Sequence, residues 1–279
     1  MRPGTRIGRK INAVLMKAGF RITSVDRESH LTFAERQLAS ALVELSFAYN
    51  RSFFHRDGTE DPEILKCISE ISFTRFGLAL FLAEYLRRSL PLDGDVCEFG
   101  VADGGSAALL AQVMKPGAKR LWLFDSFRGF SPPTGRDILL RDHRGMSPAG
   151  PIEGQLSYPE ERVRERLAET GFPPAMTRIV PGFVEETLRG CGPDLPQAVC
   201  FAYIDLGLYE PVLATLEFLD PVLRPGGYIV IDDYECYSTG VKTAVDEFLA
   251  SRAGNYTLET VPRLHGYFAI LQRTGTGPG

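Results

Sequence analysis

The hydrophobic pattern of the chain changes character near residue 93. Before that point apolar residues recur at helical spacing. Leu38, Leu42 and Leu45 follow a T-x-x-E capping box at Thr32–Glu35, and Asp61-Pro62 opens a second helix with proline at its first position. A third helix, rich in Leu and Phe, covers about 74–90 and ends at Pro91. Beyond that point short apolar runs alternate with helical stretches. The runs 95–99, 120–125, 177–181, 199–205 and 228–232 predict strands, with a late pair near 256–261 and 266–272. Helices are expected near 105–115, 159–170, 184–189, 210–222 and 240–251. This alternation predicts an α/β fold with a mainly parallel sheet covered on both faces. The short connection from Pro262 to His265 makes the last two strands an antiparallel hairpin at one edge.

The expected organisation is a basic leader over 1–30, a helical N-terminal cap over 31–92 and a sheet domain over 93–273. Residues 128–158 are rich in Pro, Gly, Arg and Asp and carry no periodicity. A loop of about thirty residues inside a compact domain is commonly a lid or binding loop. No internal repeat interrupts this plan.

Composition narrows the field. Hydrophobic residues make up 44% and charged residues 24% of the 279, which is ordinary for a globular protein with a full core. The net charge of −4 provides no basic field for nucleic acid. One local exception is the leader, where Arg2, Arg6, Arg9, Lys10, Lys17 and Arg21 are interleaved with apolar residues. It reads either as a basic surface helix or tail, or as a segment that docks weakly on an anionic membrane surface. No run approaches the roughly 18–20 apolar residues of a membrane span, and no secretory segment is evident. Cys67, Cys97, Cys191, Cys200 and Cys236 are dispersed, with no C-x-x-C pair. Such usage suits reduced thiols in a cytoplasmic protein.

The candidate chemistry lies at the strand ends. In an open parallel sheet ligands sit outside the carboxyl ends of the strands. Here Glu98, Asp125, Asp205 and the pair Asp232-Asp233 all close predicted strands. Like charges gathered there repel unless cations, amines or hydroxyls share the space. The first segment, Glu98 to Ser106, is a strand, a glycine-rich turn and a helix start with the spacing E-x-G-x-x-x-G-G. A dinucleotide site wants bare amides facing a pyrophosphate, with G-x-G-x-x-G spacing. An acid before the turn suits a ligand carrying an amine, and Asp125 at the end of the next strand suits ribose hydroxyls. Amine and ribose together describe S-adenosylmethionine better than NAD. Three carboxylates at Asp205, Asp232 and Asp233 favour a hard divalent cation, typically Mg²⁺, which lowers the pKa of a bound hydroxyl. The competing account has these acids capping helices or forming buried ion pairs.

At these residues the chain resembles the macrocin O-methyltransferase (TylF/MycF-like) family of sugar O-methyltransferases. The resemblance covers roughly residues 70–272. It is carried by GDVCEFGVADGGSA (94–107), FDSFRGF (124–130), YIDLGLYEPVLATLEFLDPVLRPGGYIVIDDY (203–234) and GVKTAVDEFL (240–249). It implies a Rossmann-like class I methyltransferase fold with a seven-stranded sheet, S-adenosylmethionine as donor, a Mg²⁺ site and a small-molecule sugar or glycoside as acceptor. Glu98, Gly100 and Ser106 would then surround the methionine part of the donor. Asp125 would hold the ribose with Ser126 beside it, Gly182-Phe183 would border the adenine, and Asp205, Asp232 and Asp233 would bind the metal. A lid histidine would act as base, which points to His143 alongside Asp205 as the catalytic residues. His265, in the terminal hairpin turn, reads as structural.

One departure stands out. The family pattern is D-G-D-L-Y, whereas this chain reads Asp205-Leu206-Gly207-Leu208-Tyr209, so the second acid is gone. Two other readings are carried forward: a small phenol or catechol as acceptor, and a non-catalytic protein that keeps the fold for binding. A helical first third with apolar faces also allows a homo-oligomer.

Overall fold

The computed structural model describes residues 62–70, 76–115, 117–140, 152–189, 194–261 and 267–275. All belong to one of the two units into which the chain divides, residues 53–279. The leader, the Thr32–Glu35 capping box and all four histidines, His143 and His265 among them, lie outside the described residues.

Two helices, α1 (Pro62–Glu70) and α2 (Phe76–Ser89), precede the sheet. The chain then runs β1 (Asp95–Phe99), α3 (Gly105–Met114), β2 (Leu121–Asp125), α4 (Glu160–Thr170), β3 (Thr177–Pro181), α5 (Val184–Thr187) and β4 (Val199–Ile204). It ends with α6 (Tyr209–Val222), β5 (Leu223–Ile231), α7 (Thr239–Ser251), β6 (Tyr256–Thr260) and β7 (Ala269–Arg273). The seven strands lie in the order β3-β2-β1-β4-β5-β7-β6. Pairs among β1 to β5 are parallel; β7 is antiparallel to both β5 and β6. The predicted terminal pair is thus antiparallel, with β7 placed between β5 and the edge strand β6.

Burial explains the pattern. β1 from Val96, β2 up to Phe124 and all of β4 are buried, which is why they read as unbroken apolar runs. By the two-residue repeat of a strand, Cys97, Phe99, Trp122, Phe124, Ala202, Ile204, Ile229 and Ile231 join one core cluster with Val212, Leu216, Leu219 of α6 and Val241, Val245, Phe248 of α7. Helix α3, buried from Ala107 to Met114, packs with α1, α2 and α4. Helix α2 also rests on β4 and β5, and its Tyr85 ring meets Tyr228 edge-on at 4.9 Å. The distal part of the expected cap is therefore packed onto the sheet.

One turn-like run of residues is not a turn. Pro225-Gly226-Gly227 is an irregularity inside β5 rather than a turn ahead of it, because Leu223 already pairs with Val199 before Tyr228 pairs with Phe201. Close approach makes the glycine necessary, since a Cβ at Gly227 would lie 2.7 Å from the Cys200 carbonyl oxygen. Cys97 and Cys200 are buried thiols, and no helix among the described residues is long and apolar enough to cross a membrane.

Candidate active site

Strand order reverses between β1 and β4, and that switch point opens a crevice at their carboxyl ends. Backbone hydrogen bonds tie five strand ends into one rim. Gly182 N donates to Asp125 O (2.9 Å), Gly100 N to Phe124 O (2.8 Å), Asp205 N to Phe99 O (2.8 Å) and Asp232 N to Ile204 O (2.8 Å). Asp125, Asp205 and Asp232 thus lie at neighbouring strand ends, and Glu98 is one residue short of the end of β1.

Glu98 is fully buried and sits opposite Tyr203 in the β1–β4 register. The hydroxyl of Ser106, in the first turn of α3, donates to its Oε1. The intervening turn is left-handed at Gly100 (φ +85°), Ala102 (φ +49°) and Gly104 (φ +84°). At Gly100 glycine is obligatory, for an added Cβ would fall 2.0 Å from the Asp205 carbonyl oxygen.

Asp125 shapes that turn. Its Oδ2 accepts from Val101 N (2.7 Å) and Ala102 N (3.0 Å), and its Oδ1 accepts from Phe127 N (2.7 Å). An ionised carboxylate has about four lone-pair sites, so room remains for a hydroxyl donor. The Ser126 hydroxyl donates to Gly129 O (2.8 Å) and accepts from Arg128 N (3.0 Å), closing a tight turn with one lone pair to spare. That turn sets the Arg128 guanidinium over the Phe183 ring at 4.4 Å. Phe183 is half-buried under that guanidinium, while Val184 enters the core.

Across the switch point, Asp205 and Asp232 converge on one buried group. The Tyr203 hydroxyl lies 3.2 Å from Oδ2 of each. Asp233 has a left-handed backbone (φ +58°), and its N donates to Asp232 Oδ1 at 2.9 Å. Gly207 is also left-handed (φ +66°). A Cβ there would meet Phe130 Cε1 at 3.0 Å, Tyr237 Cδ1 at 3.3 Å and Asp233 Oδ2 at 3.5 Å. Phe130 and Tyr237 stack with centroids 5.3 Å apart and planes 12° apart. Burial, then the nearby Asp233 charge, pushes the Tyr237 hydroxyl above its usual pKa.

The resemblance implies Mg²⁺ on Asp205, Asp232 and Asp233. That ion demands near-octahedral oxygen ligands. Among the described residues no three His, Cys, Asp or Glu side chains are grouped to hold a metal, and Gly207 adds no carboxylate. Asp205 and Asp232, which share the Tyr203 hydroxyl, are two carboxylates that would hold such an ion with waters completing its shell.

The loop expected over 128–158 is anchored at both ends. At its base Phe130 N donates to Gln155 O (3.1 Å) and Gly154 N to Phe130 O (3.0 Å). Its first arm is pinned by Leu140 N to Tyr237 O (2.9 Å) and Thr239 N to Ile138 O (3.0 Å). Asp137 Oδ1 accepts from Tyr209 N (2.8 Å), the first residue of α6, and its Oδ2 accepts from Thr134 N (2.9 Å). Arg136 lies over the Tyr209 ring at 4.7 Å. The Tyr209 hydroxyl donates to Glu247 (2.6 Å), a bond that raises the tyrosine pKa and lowers that of the glutamate. Asp137→Ala removes a helix-terminus acceptor and the link to the loop together. It should lower stability by about 1–2 kcal/mol and open residues 131–140 to proteolysis, as thermal melts and timed digestion would reveal. Unchanged digestion would mean the backbone contacts suffice.

Sequence reasoning passed over Tyr203, Asp137, Arg128 and the Phe130–Tyr237 pair. Only Tyr203 carried a signal, its two-residue spacing from Asp205 on the same strand. A cavity of about 1080 Å³ lies at the other end of the sheet, lined by Gly94, Asp95, Lys119 and Arg120 among others. Lys119 there already donates to the carbonyls of Leu92 and Gly94. It holds none of the rim carboxylates.

Residues 83–269 match the family described as macrocin-O-methyltransferase (TylF). The 8-demethyl-8-(2,3-dimethoxy-alpha-L-rhamnosyl)-tetracenomycin-C 4'-O-methyltransferase of Streptomyces olivaceus is 35% identical over 150 residues, 50% of this chain and 53% of that protein. The demethyldecarbamoylnovobiocin O-methyltransferase of Streptomyces niveus is 28% identical over 246 residues, 82% of this chain and 88% of that protein. The chain thus spans about half the length of the first relative and most of the second. Among solved structures, the O-methyltransferase NovP superposes with a TM-score of 0.61 at 23% identity, covering 89% of this chain and 100% of that one. The calicheamicin methyltransferase CalS11 gives 0.61 at 22%, covering 87% and 93%. At such identities the likeness speaks to the fold, which is Rossmann-like and of the class I methyltransferase type.

Proposed function

Because the chain belongs to the macrocin-O-methyltransferase family, we propose that it transfers a methyl group from S-adenosylmethionine to a hydroxyl of a sugar or glycosylated small molecule. The observation that carries this reading is the run of backbone bonds that sets the ends of β1 and β2, with Asp125, beside those of β4 and β5, with Asp205 and Asp232. The name of one relative, which acts on a rhamnosyl tetracenomycin, supports a glycoside acceptor.

When bound, the donor supplies an electrophilic methyl on a sulfonium centre, open to in-line attack by a hydroxyl oxygen. Glu98, oriented by Ser106, attracts the donor's amine in a buried setting where a negative charge acts strongly. Asp125 accepts from the ribose while its amide bonds keep the glycine turn closed. Gly182 lets the chain pass the adenine, with the Arg128–Phe183 stack beside it. Asp205, held with Asp232 by Tyr203, receives the acceptor hydroxyl's hydrogen bond and orients the oxygen for attack. The lid residue His143 remains the proposed base. The setting is the cytoplasm, a reducing compartment that suits the scattered thiols.

The test is transfer of a labelled methyl group to a phenyl rhamnoside and, in parallel, to catechol. Label on the rhamnoside alone is the expected result. Label on catechol alone would reassign the acceptor, and donor binding without transfer to either would favour a catalytically idle protein.

A further inference from the structure

The position that departs from the family pattern is occupied in a definite way. Gly207 does not leave a hole: ring edges of Phe130 and Tyr237 lie 3.0 and 3.3 Å from where its Cβ would stand. The two rings come from different elements. Phe130 is at the paired base of the 128–158 loop, and Tyr237 precedes α7 with its carbonyl bound by Leu140 N. Ser238, the next residue, donates its hydroxyl to the Gly207 carbonyl at 2.8 Å, so three segments are fixed around one point. Both rings are half-buried and nearly parallel, and Asp233 Oδ2 borders the same point.

Gly207, Asp233 and Tyr237 lie on the β4–β5 side of the switch point, and Phe130 reaches them from the turn that follows β2. The arrangement joins a flat apolar surface to a carboxylate acceptor. A pyranoside has matching chemistry, with a C–H face for the rings and hydroxyls along its edge for the acid. We infer that Phe130 and Tyr237, closed over Gly207, form an aromatic shelf that receives the sugar ring of the acceptor with its hydroxyl edge toward Asp233. The shelf rests on the function proposed above and names the residues that select its acceptor.

The experiment titrates phenyl α-L-rhamnopyranoside into the full chain saturated with S-adenosylhomocysteine, by calorimetry. Phe130→Ala and Tyr237→Ala should each weaken rhamnoside binding about tenfold, equivalent to about 1.4 kcal/mol. Tyr237→Phe should stay within about twofold of the wild type, since the ring face is kept. Affinity for S-adenosylhomocysteine should hold within about threefold in every variant. Should an alanine variant melt early, Tyr237→Leu keeps apolar bulk without the flat face and should show the same loss. Rhamnoside binding that is equal in all variants, or absent in the wild type, overturns the shelf. Intact S-adenosylhomocysteine binding in that case leaves the methyltransferase reading standing. A parallel fall in both affinities would make the pair scaffolding and overturn it as well.

Discussion

Asp125→Ala is expected to weaken S-adenosylhomocysteine binding about 100-fold, or about 2.7 kcal/mol. Two losses add. A hydrogen bond to a charged group contributes about 1.5–3 kcal/mol, and the ribose would lose one such acceptor. The amides of Val101, Ala102 and Phe127 would lose theirs too, and these hold the glycine turn against β2. Asp125→Asn keeps one acceptor oxygen but must turn an amide donor toward N–H groups, so it should fall between alanine and wild type. Calorimetry gives the numbers directly. Wild-type affinity in Asp125→Ala would remove the ribose from this carboxylate and with it the donor assignment.

Gly100→Ala should be the most damaging single methyl in the protein. The cost is expected to reach about 3 kcal/mol or more, with donor binding lost. The added carbon would sit 2.0 Å from Asp205 O and 2.8 Å from Asp205 C, both backbone atoms that no rotamer change can move. Either β4 retreats, taking Asp205 with it, or the turn after β1 unwinds and Ser106 leaves Glu98. Gly254 provides the control, with the same φ of +85° and nothing within 4 Å of an added Cβ. Gly254→Ala should cost only about 1 kcal/mol, the usual penalty for a left-handed alanine. Urea denaturation of the two variants separates the clash from the backbone preference, and equal losses would refute the tight switch point.

Much of the sheet was legible in the sequence because its central strands are buried on both faces and so read as short, unbroken apolar runs. The rim acids were legible because each closes such a run. Pro225-Gly226-Gly227 has the residues of a turn, but such residues also accommodate an irregular strand, and only the pairing of Leu223 with Val199 distinguishes the two. The anchoring of the 128–158 loop was hidden because it relies largely on backbone groups, which every residue carries. Phe130 and Tyr237 are far apart in sequence, so no spacing could have joined them. Ser126 stands beside Asp125 in sequence, but that its hydroxyl also closes the following turn could be read only from the structure.

The placement of β7 has a consequence for how the molecule is made. This strand is the last of the seven in sequence but lies between β5 and β6. While the chain emerges from the ribosome, β5 exposes one side of its backbone until Ala269–Arg273 is available to cover it. An uncovered strand edge is a template for another chain. The β5 edge is therefore open to cross-pairing with another copy until β7 arrives.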